Sequence, residues 1–144
     1  MNPEPPYCFT KSERLSGQLA IDLLFKQGKP DFIYPYKIIY RVDKQTTETH
    51  LRILISVSRK NFKKAVDRNR IKRLTREAWR KNKFILAESL GRNHNQMDIA
   101  LIFIAKSIPL YKETEDKIIL ILQRLKKAHE HHRPNSIQGS DSID

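Results

Sequence analysis

The chain has 144 residues, few enough for one domain with a real core, and a net charge of +12 with a pI near 10. That balance points to a polyanionic partner, either nucleic acid or an anionic membrane surface. No run of eighteen apolar residues exists, so no helix is expected to span a bilayer; no basic-then-apolar signal opens the chain; and the single cysteine, Cys8, excludes an internal disulfide and suits a reducing cytoplasm.

In chain order, residues 1 to 8 carry three of the seven prolines and read as an extended or flexible N-terminal segment. Phe9 is the first residue expected to dock. The pattern from Leu15 to Lys26 predicts a helix, with Ser12 or Ser16 as N-cap and Gly28-Lys29-Pro30 as its stop. Leu15, Leu19 and Leu23 share one side of it; Ala20, Ile21, Leu24 and Phe25 share another. Two apolar sides imply either burial of both or one packed and one lining a groove.

Residues 36 to 42 (YKIIYRV) alternate Tyr36, Ile38, Tyr40 and Val42 against Lys37, Ile39 and Arg41, as a half-buried strand does. Residues 50 to 57 (HLRILISV) repeat the alternation, and the polar link between them predicts an antiparallel hairpin. Tyrosines near Lys37, Arg41 and Arg52 suit either a core or a surface on which unpaired bases stack.

From Arg59 to Lys83 the chain holds twelve bases against two acids, ten of its twelve net positive charges. A helix over 66 to 82 places Arg68, Asn69, Lys72, Arg73, Arg76 and Arg80 along one face, with Ile71, Leu74, Thr75 and Ala78 opposite. An ordinary solvated helix mixes signs at i,i+4; here Arg68/Lys72, Lys72/Arg76 and Arg76/Arg80 are all like pairs, which costs stability unless phosphates compensate.

Residues 84 to 90 predict a short helix, and 91 to 95 a loop. The continuous apolar run at 98 to 105 (DIALIFIA) predicts a strand buried on both faces at the centre of the sheet. Tyr111 to Lys127 form a last helix, with Glu113, Glu115 and Asp116 at its start, Arg124, Lys126 and Lys127 at its end, and Ile118, Ile121, Leu122 and Leu125 buried. From His129 the chain reads as a disordered polar tail. Its clustered histidines lack a carboxylate or cysteine partner at metal-binding spacing, so no metal site is assigned.

No Gly-rich phosphate loop, zinc-finger spacing or nucleophile with a base is present. Asp98 is the best single acid for an autonomous nuclease, although an aspartate at a strand start is more often a turn residue. The residues alone thus describe a nucleic-acid binder without chemistry of its own, with a self-sufficient nuclease as the other reading.

The segment ISVSRKNFKKAVDRNRIKRLTREAWR closely resembles the signature of the bacterial ribonuclease P protein family, A-x-x-R-N-R-x-K-R-x-x-R-E. Ala65, Arg68, Asn69, Arg70, Lys72, Arg73, Arg76 and Glu77 match it position by position. FTKSERLSGQLAIDLLFKQGK is similar to the family's opening helix, and DIALIFIAK with the last helix to its end, so the resemblance spans most of residues 9 to 128. It implies a single small α+β domain of α-β-β-α-β-α order, helices packed on a central mostly antiparallel sheet with a left-handed β-α-β crossover. It also implies an accessory subunit of an endoribonuclease: a catalytic RNA, with Mg2+ bound mainly by that RNA, removes the 5′ leader of precursor tRNA in the cytoplasm. Catalytic residues in the protein, a membrane and a protein partner are not implied. Arg68, Asn69, Arg70, Lys72, Arg73, Arg76 and Arg80 would meet the ribozyme. Phe9, Ile21, Phe25, Tyr36, Lys37, Tyr40, Arg59 and Lys60 would line or flank a leader cleft, with Ile21 standing where the family often has a second phenylalanine.

Overall fold

A computed structural model of the chain describes residues 11–44 and 50–131, with side chains to residue 130. A 3-10 turn, Lys11–Glu13, precedes helix α1 (Gln18–Gln27), strands β1 (Lys29–Ile33), β2 (Tyr36–Lys44) and β3 (Leu51–Val57), helices α2 (Ala65–Asn82) and α3 (Phe84–Arg92), strand β4 (Asn95–Phe103) and helix α4 (Tyr111–His131). The strands form one mixed sheet in the order β1-β2-β4-β3, antiparallel except for the parallel pair β3 and β4. This is the small single α+β domain expected, with β1 as an additional strand.

β4 is the centre of the sheet and is buried on both faces, as its unbroken apolar run requires. Its insertion between β2 and β3 corrects the expected hairpin. Tyr36 pairs with Phe103 and Ile38 with Leu101, while Ile53 pairs with Ile99 on the other side. α2 and α3 therefore form the connection between parallel neighbours. On the inner face, Tyr36, Ile38, Ile53, Met97, Ile99, Leu101 and Phe103 meet Ile71, Ala78 and Trp79 of α2, Leu86 and Leu90 of α3, and Ile118, Ile121, Leu122 and Leu125 of α4. On the outer face, among the described residues, α1 covers the sheet through Leu24, Ala20 and Ile21 against Ile39, Leu54 and Ala100, and Leu15 joins the same cluster.

Leu15 does not begin α1. Its N–H donates to the Ile53 carbonyl (2.9 Å), and Arg14 forms a parallel bridge with Ile53, so this short stretch covers part of the outer edge of β3. Gly17, at φ +93°, then turns the chain into the helix, a conformation that costs a residue with Cβ. At the far end Gly28 caps α1 where it presses on β2. A Cβ there would collide with the Leu24 carbonyl and lie 2.6 Å from Ile39 Cγ2.

α4 continues past Lys127 to His131, so residues 129 to 131, expected to open a disordered tail, are helical. His129 is 2% exposed, within hydrogen-bond distance of Ser89 Oγ (3.0 Å) and Asn95 Nδ2 (2.9 Å), and so joins α3, β4 and α4. Burial of an imidazole satisfied at both nitrogens suits a structural residue. Cys8, Phe9 and residues 132 to 144 lie outside the described residues.

Candidate nucleic-acid interface

α2 forms because Ile71, Thr75, Ala78 and Trp79 recur on one stripe and are buried, with Leu74 half-buried beside them. Thr75 is held there by a 2.7 Å hydrogen bond with the Tyr36 hydroxyl. Trp79, absent from the expected stripe, is fully buried and is among the largest core side chains. The basic face thus points away from the sheet, but its cations are not equivalent.

Arg68 donates from one guanidinium nitrogen to the carbonyls of Phe62 (2.8 Å) and Lys63 (2.9 Å), fastening the loop that enters α2. Arg80 binds Glu77 through two contacts of 3.1 and 2.6 Å, and Lys81 stands 3.8 Å from the same carboxylate. The Arg80 hydrogen bond is the main reason the Glu77 carboxyl lies below its ordinary range. By contrast Asn69, Arg70 and Arg73 are exposed, and among the described residues no carboxylate forms an ion pair with Arg70, Lys72, Arg73 or Arg76.

Lys72 and Arg76 lean toward the covered edge of β3. With Arg14, Leu15, Ile53, Leu54 and Ile55 they enclose a hollow of about 160 Å3. Burial, then the charges of Arg14 and Arg73, lower the Arg76 pKa, so its guanidinium is disfavoured by two like charges at a half-buried site. An anion there would relieve that crowding. Arg14 was not among the expected contacts; its only sequence signal is its place in KSERL, four residues before the start of α1. The acid Glu13 beside it is committed elsewhere, to the Lys83 ammonium at 2.6 and 2.8 Å.

The outer face of the sheet carries the second set. Lys37 is exposed there, flanked in register by Phe32 of β1 and Ile102 of β4. Phe25 on α1 is 45% exposed, Phe32 is 51% exposed and Tyr34 is 59% exposed, with the rings of Phe32 and Tyr34 6.5 Å apart. Ile21 is half-buried between α1 and the sheet. Arg59 and Lys60 are exposed in the turn that follows β3. The remaining cations of this face are occupied: Arg52 grips Asp98 with two bonds of 2.9 Å, and Arg41 binds Asp43 at 3.0 Å. Asp98 is therefore one half of an ion pair.

Tyr36 and Tyr40 do not belong to this surface. Strand alternation sends both to the inner face, opposite Lys37. Tyr36 is 0% exposed against Phe103, its hydroxyl pushed up to about 12 by burial and drawn only partly back by Thr75, and Tyr40 packs on the same core. Phe32 and Tyr34 take their place as exposed aromatics. Tyr34 is one of the tyrosines read as either core or stacking surface; Phe32 carries no such expectation because KPDFI, with a proline and one buried residue, gives a weak strand signal.

Among the described residues no three His, Cys, Asp or Glu side chains gather closely enough to hold a metal ion. No helix among them is long and apolar enough to cross a membrane.

Residues 9–126 match the family model described as Ribonuclease P. The chain is 35% identical over 115 residues to the "Ribonuclease P protein component" of Porphyromonas gingivalis, covering 80% of this chain and 84% of that protein. It is 34% identical over 124 residues to the protein of the same name from Chlorobaculum tepidum, covering 80% of each. The solved RNase P protein of Thermotoga maritima is 28% identical, with a TM-score of 0.61 over 78% of this chain and 96% of its own. That of Staphylococcus aureus, at 22% identity, shares the fold with a TM-score of 0.62 over 81% and 97%.

Proposed function

The chain belongs to the bacterial ribonuclease P protein family, accessory subunits of the endoribonuclease that matures the 5′ end of tRNA, and from that premise we propose how its surfaces divide the work. The α2 face of Asn69, Arg70, Lys72, Arg73 and Arg76 grips the phosphate backbone of the ribonuclease P RNA, and Arg14, Lys72 and Arg76 together seat one phosphate. The observation that carries this is the half-buried hollow those three cations enclose, with no described carboxylate paired to Lys72 or Arg76. A phosphate there replaces mutual repulsion by charge-assisted hydrogen bonds. Arg68 acts one step back, ordering the loop before α2, and Arg80 stays with Glu77.

The outer face takes the single-stranded 5′ leader of precursor tRNA. Phe25, Phe32 and Tyr34 offer ring faces for unpaired bases, Lys37 neutralises the backbone, Ile21 packs beneath, and Arg59 and Lys60 flank the path. The protein's part is to bind, orient and neutralise, and the reaction takes place in the cytoplasm. Mg2+, which the family generally uses, belongs in this reading with the RNA, and no step passes through a metal held by the chain.

Cleavage of a precursor tRNA at low Mg2+ tests the assignment, comparing ribonuclease P RNA alone, protein alone, and both. Cleavage at the mature 5′ end only in the mixture is expected. Phe25→Ala and Lys37→Ala should weaken binding of a precursor with a leader, by about 1–3 kcal/mol for a lost stacking partner, and leave leaderless tRNA unaffected. Equal loss on both substrates would remove the leader from this face.

A further inference from the structure

A cavity of about 290 Å3 lies at the end of the sheet where the β1–β2 turn, the segment after β4 and the first turns of α4 meet. We propose that it receives a single unstacked nucleobase carrying an exocyclic amine, adenine or cytosine, from RNA that crosses the β1–β2 turn. The proposal rests on the reading that single-stranded RNA lies on the outer face, and it adds a base-reading site that this reading does not contain.

Size, lining and position converge on that ligand. Pockets for drug-sized molecules begin at about 300 Å3, so this space suits a planar ring system rather than a whole dinucleotide or a folded peptide. Phe103 lines it from the core, and Tyr34 lines it while remaining 59% exposed at the surface, so an entering ring meets aromatic carbon at both levels. The polar lining is confined to a few side chains, among them Ser107, Glu113, Thr114 and Lys117.

Two of these groups, Glu113 and Thr114, are held in place by the backbone of Leu110. The Leu110 N–H donates to Glu113 Oε1 (3.1 Å), which fixes the carboxylate at the first turn of α4, and the Thr114 hydroxyl donates to the Leu110 carbonyl (3.2 Å). A carboxylate only accepts, so it favours a base edge that presents an amine; Ser107 and Lys117 can donate to a ring nitrogen or carbonyl. Uracil presents a carbonyl where cytosine presents its amine, and is disfavoured beside Glu113.

The route in is aromatic. Phe32 pairs in register with Lys37 on the outer face, and its ring lies 6.5 Å from that of Tyr34. A strand with one base on Phe32 and its phosphate near Lys37 brings its neighbour to Tyr34 and the cavity mouth.

The test titrates the 5′-monophosphates of adenosine, cytidine and uridine into the full chain and follows NMR shifts at Ala105, Ser107, Ile108 and Thr114. Adenosine and cytidine monophosphates are expected to move these signals, with uridine monophosphate about five-fold weaker, the worth of one hydrogen bond of about 1 kcal/mol. Glu113→Gln, whose carbonyl still accepts the Leu110 N–H, should bring the three affinities together, because an amide also donates. Ser107→Trp at the exposed rim should abolish the shifts while the rest of the spectrum stays folded. Silence of the lining residues with all three nucleotides, or equal affinity for all three in the unaltered chain, would overturn the proposal. Free nucleotides enter without the outer face, so Phe25→Ala and Lys37→Ala should leave these shifts intact. If those two variants leave leader affinity unchanged, the outer-face reading falls by itself, and the cavity is judged on its own shifts.

Discussion

In the second half of α2 and just beyond it each of three cations meets an acid: Arg80 and Lys81 reach Glu77, and Lys83 reaches Glu13. Ahead of Glu77, Lys72 and Arg76 lean toward Arg14 around one hollow, Arg73 adds its charge, and no described carboxylate forms an ion pair with Lys72, Arg73 or Arg76. Both groups belong to one charge run in the sequence. Cations with partners hold the domain together, whereas crowded cations without them are stabilised only when an anion arrives. Changes to the two groups should therefore register in different measurements.

The largest effect is expected from the side of α2 that neither group of charges occupies, where Thr75 bonds Tyr36. Burial raises the Tyr36 hydroxyl from 10.0 to about 12. The folded state thus holds this proton more tightly than the unfolded chain, so the associated stability is intact below pH 10 and is lost as pH rises toward 12. The loss approaches about 3 kcal/mol at two pH units of separation. Tyr36→Phe should flatten this step in alkaline denaturation curves while costing about 1 kcal/mol at neutral pH for the unpaired Thr75 hydroxyl. An alkaline step of equal size in both proteins would show that Tyr36 is not its source.

Lys83→Ala comes next and tests the partnered group. The Lys83 side chain is only 10% exposed, and its removal strands Glu13. Loss of a fully buried pair member costs about 3–5 kcal/mol; with Glu13 partly solvated, about 2 kcal/mol is expected, read as a lower urea midpoint. The salt dependence of RNA binding by the folded variant should stay as it was. A changed slope would mean that Lys83 also meets phosphate.

Much of this division lay beyond the sequence for identifiable reasons. The periodicity of DIALIFIA announced a two-sided buried strand, and the spacing of Ile71, Thr75 and Ala78 announced the buried stripe of α2; both are properties of a residue and its near neighbours. Strand alternation likewise separated Tyr36 and Tyr40 from Lys37, and that local signal prevailed over their joint assignment to a cleft through the family resemblance. Partnership across the fold has no such period. Alternation in 36–42 and 50–57 tells which residues share a face but not that β4 separates the two strands. Nothing near Lys83 points to Glu13, seventy residues earlier, and nothing near Arg76 points to Arg14. Those contacts decide which cations remain for a ligand.

Arg76→Gln tests the unpartnered group. Since burial and like charges already disfavour its ionised form, its loss should leave thermal stability unchanged or slightly raised. Affinity for ribonuclease P RNA should fall roughly ten-fold at low salt, with a log-log salt slope shallower by about one. Arg14→Gln should behave in the same way despite lying outside the α2 motif; an unchanged slope there would remove it from the phosphate seat.

Arg80→Gln should do least, and for that reason it is the sharpest control. Its side chain is 32% exposed and its Glu77 partner 42%, so water already screens the pair and about 0.5 kcal/mol of stability is at stake. Glutamine also keeps a donor for Glu77. If net charge alone drove RNA binding, removing Arg80 would cost as much affinity and slope as removing Arg76, because each variant loses one positive charge from the same helix. If the seat formed with Arg14 and Lys72 matters, only Arg76→Gln changes the slope, and the charge of Arg80 remains spent on Glu77. Parallel salt titrations of the two variants against the same RNA separate these cases. Equal slopes would erase the distinction between the partnered and unpartnered cations of α2.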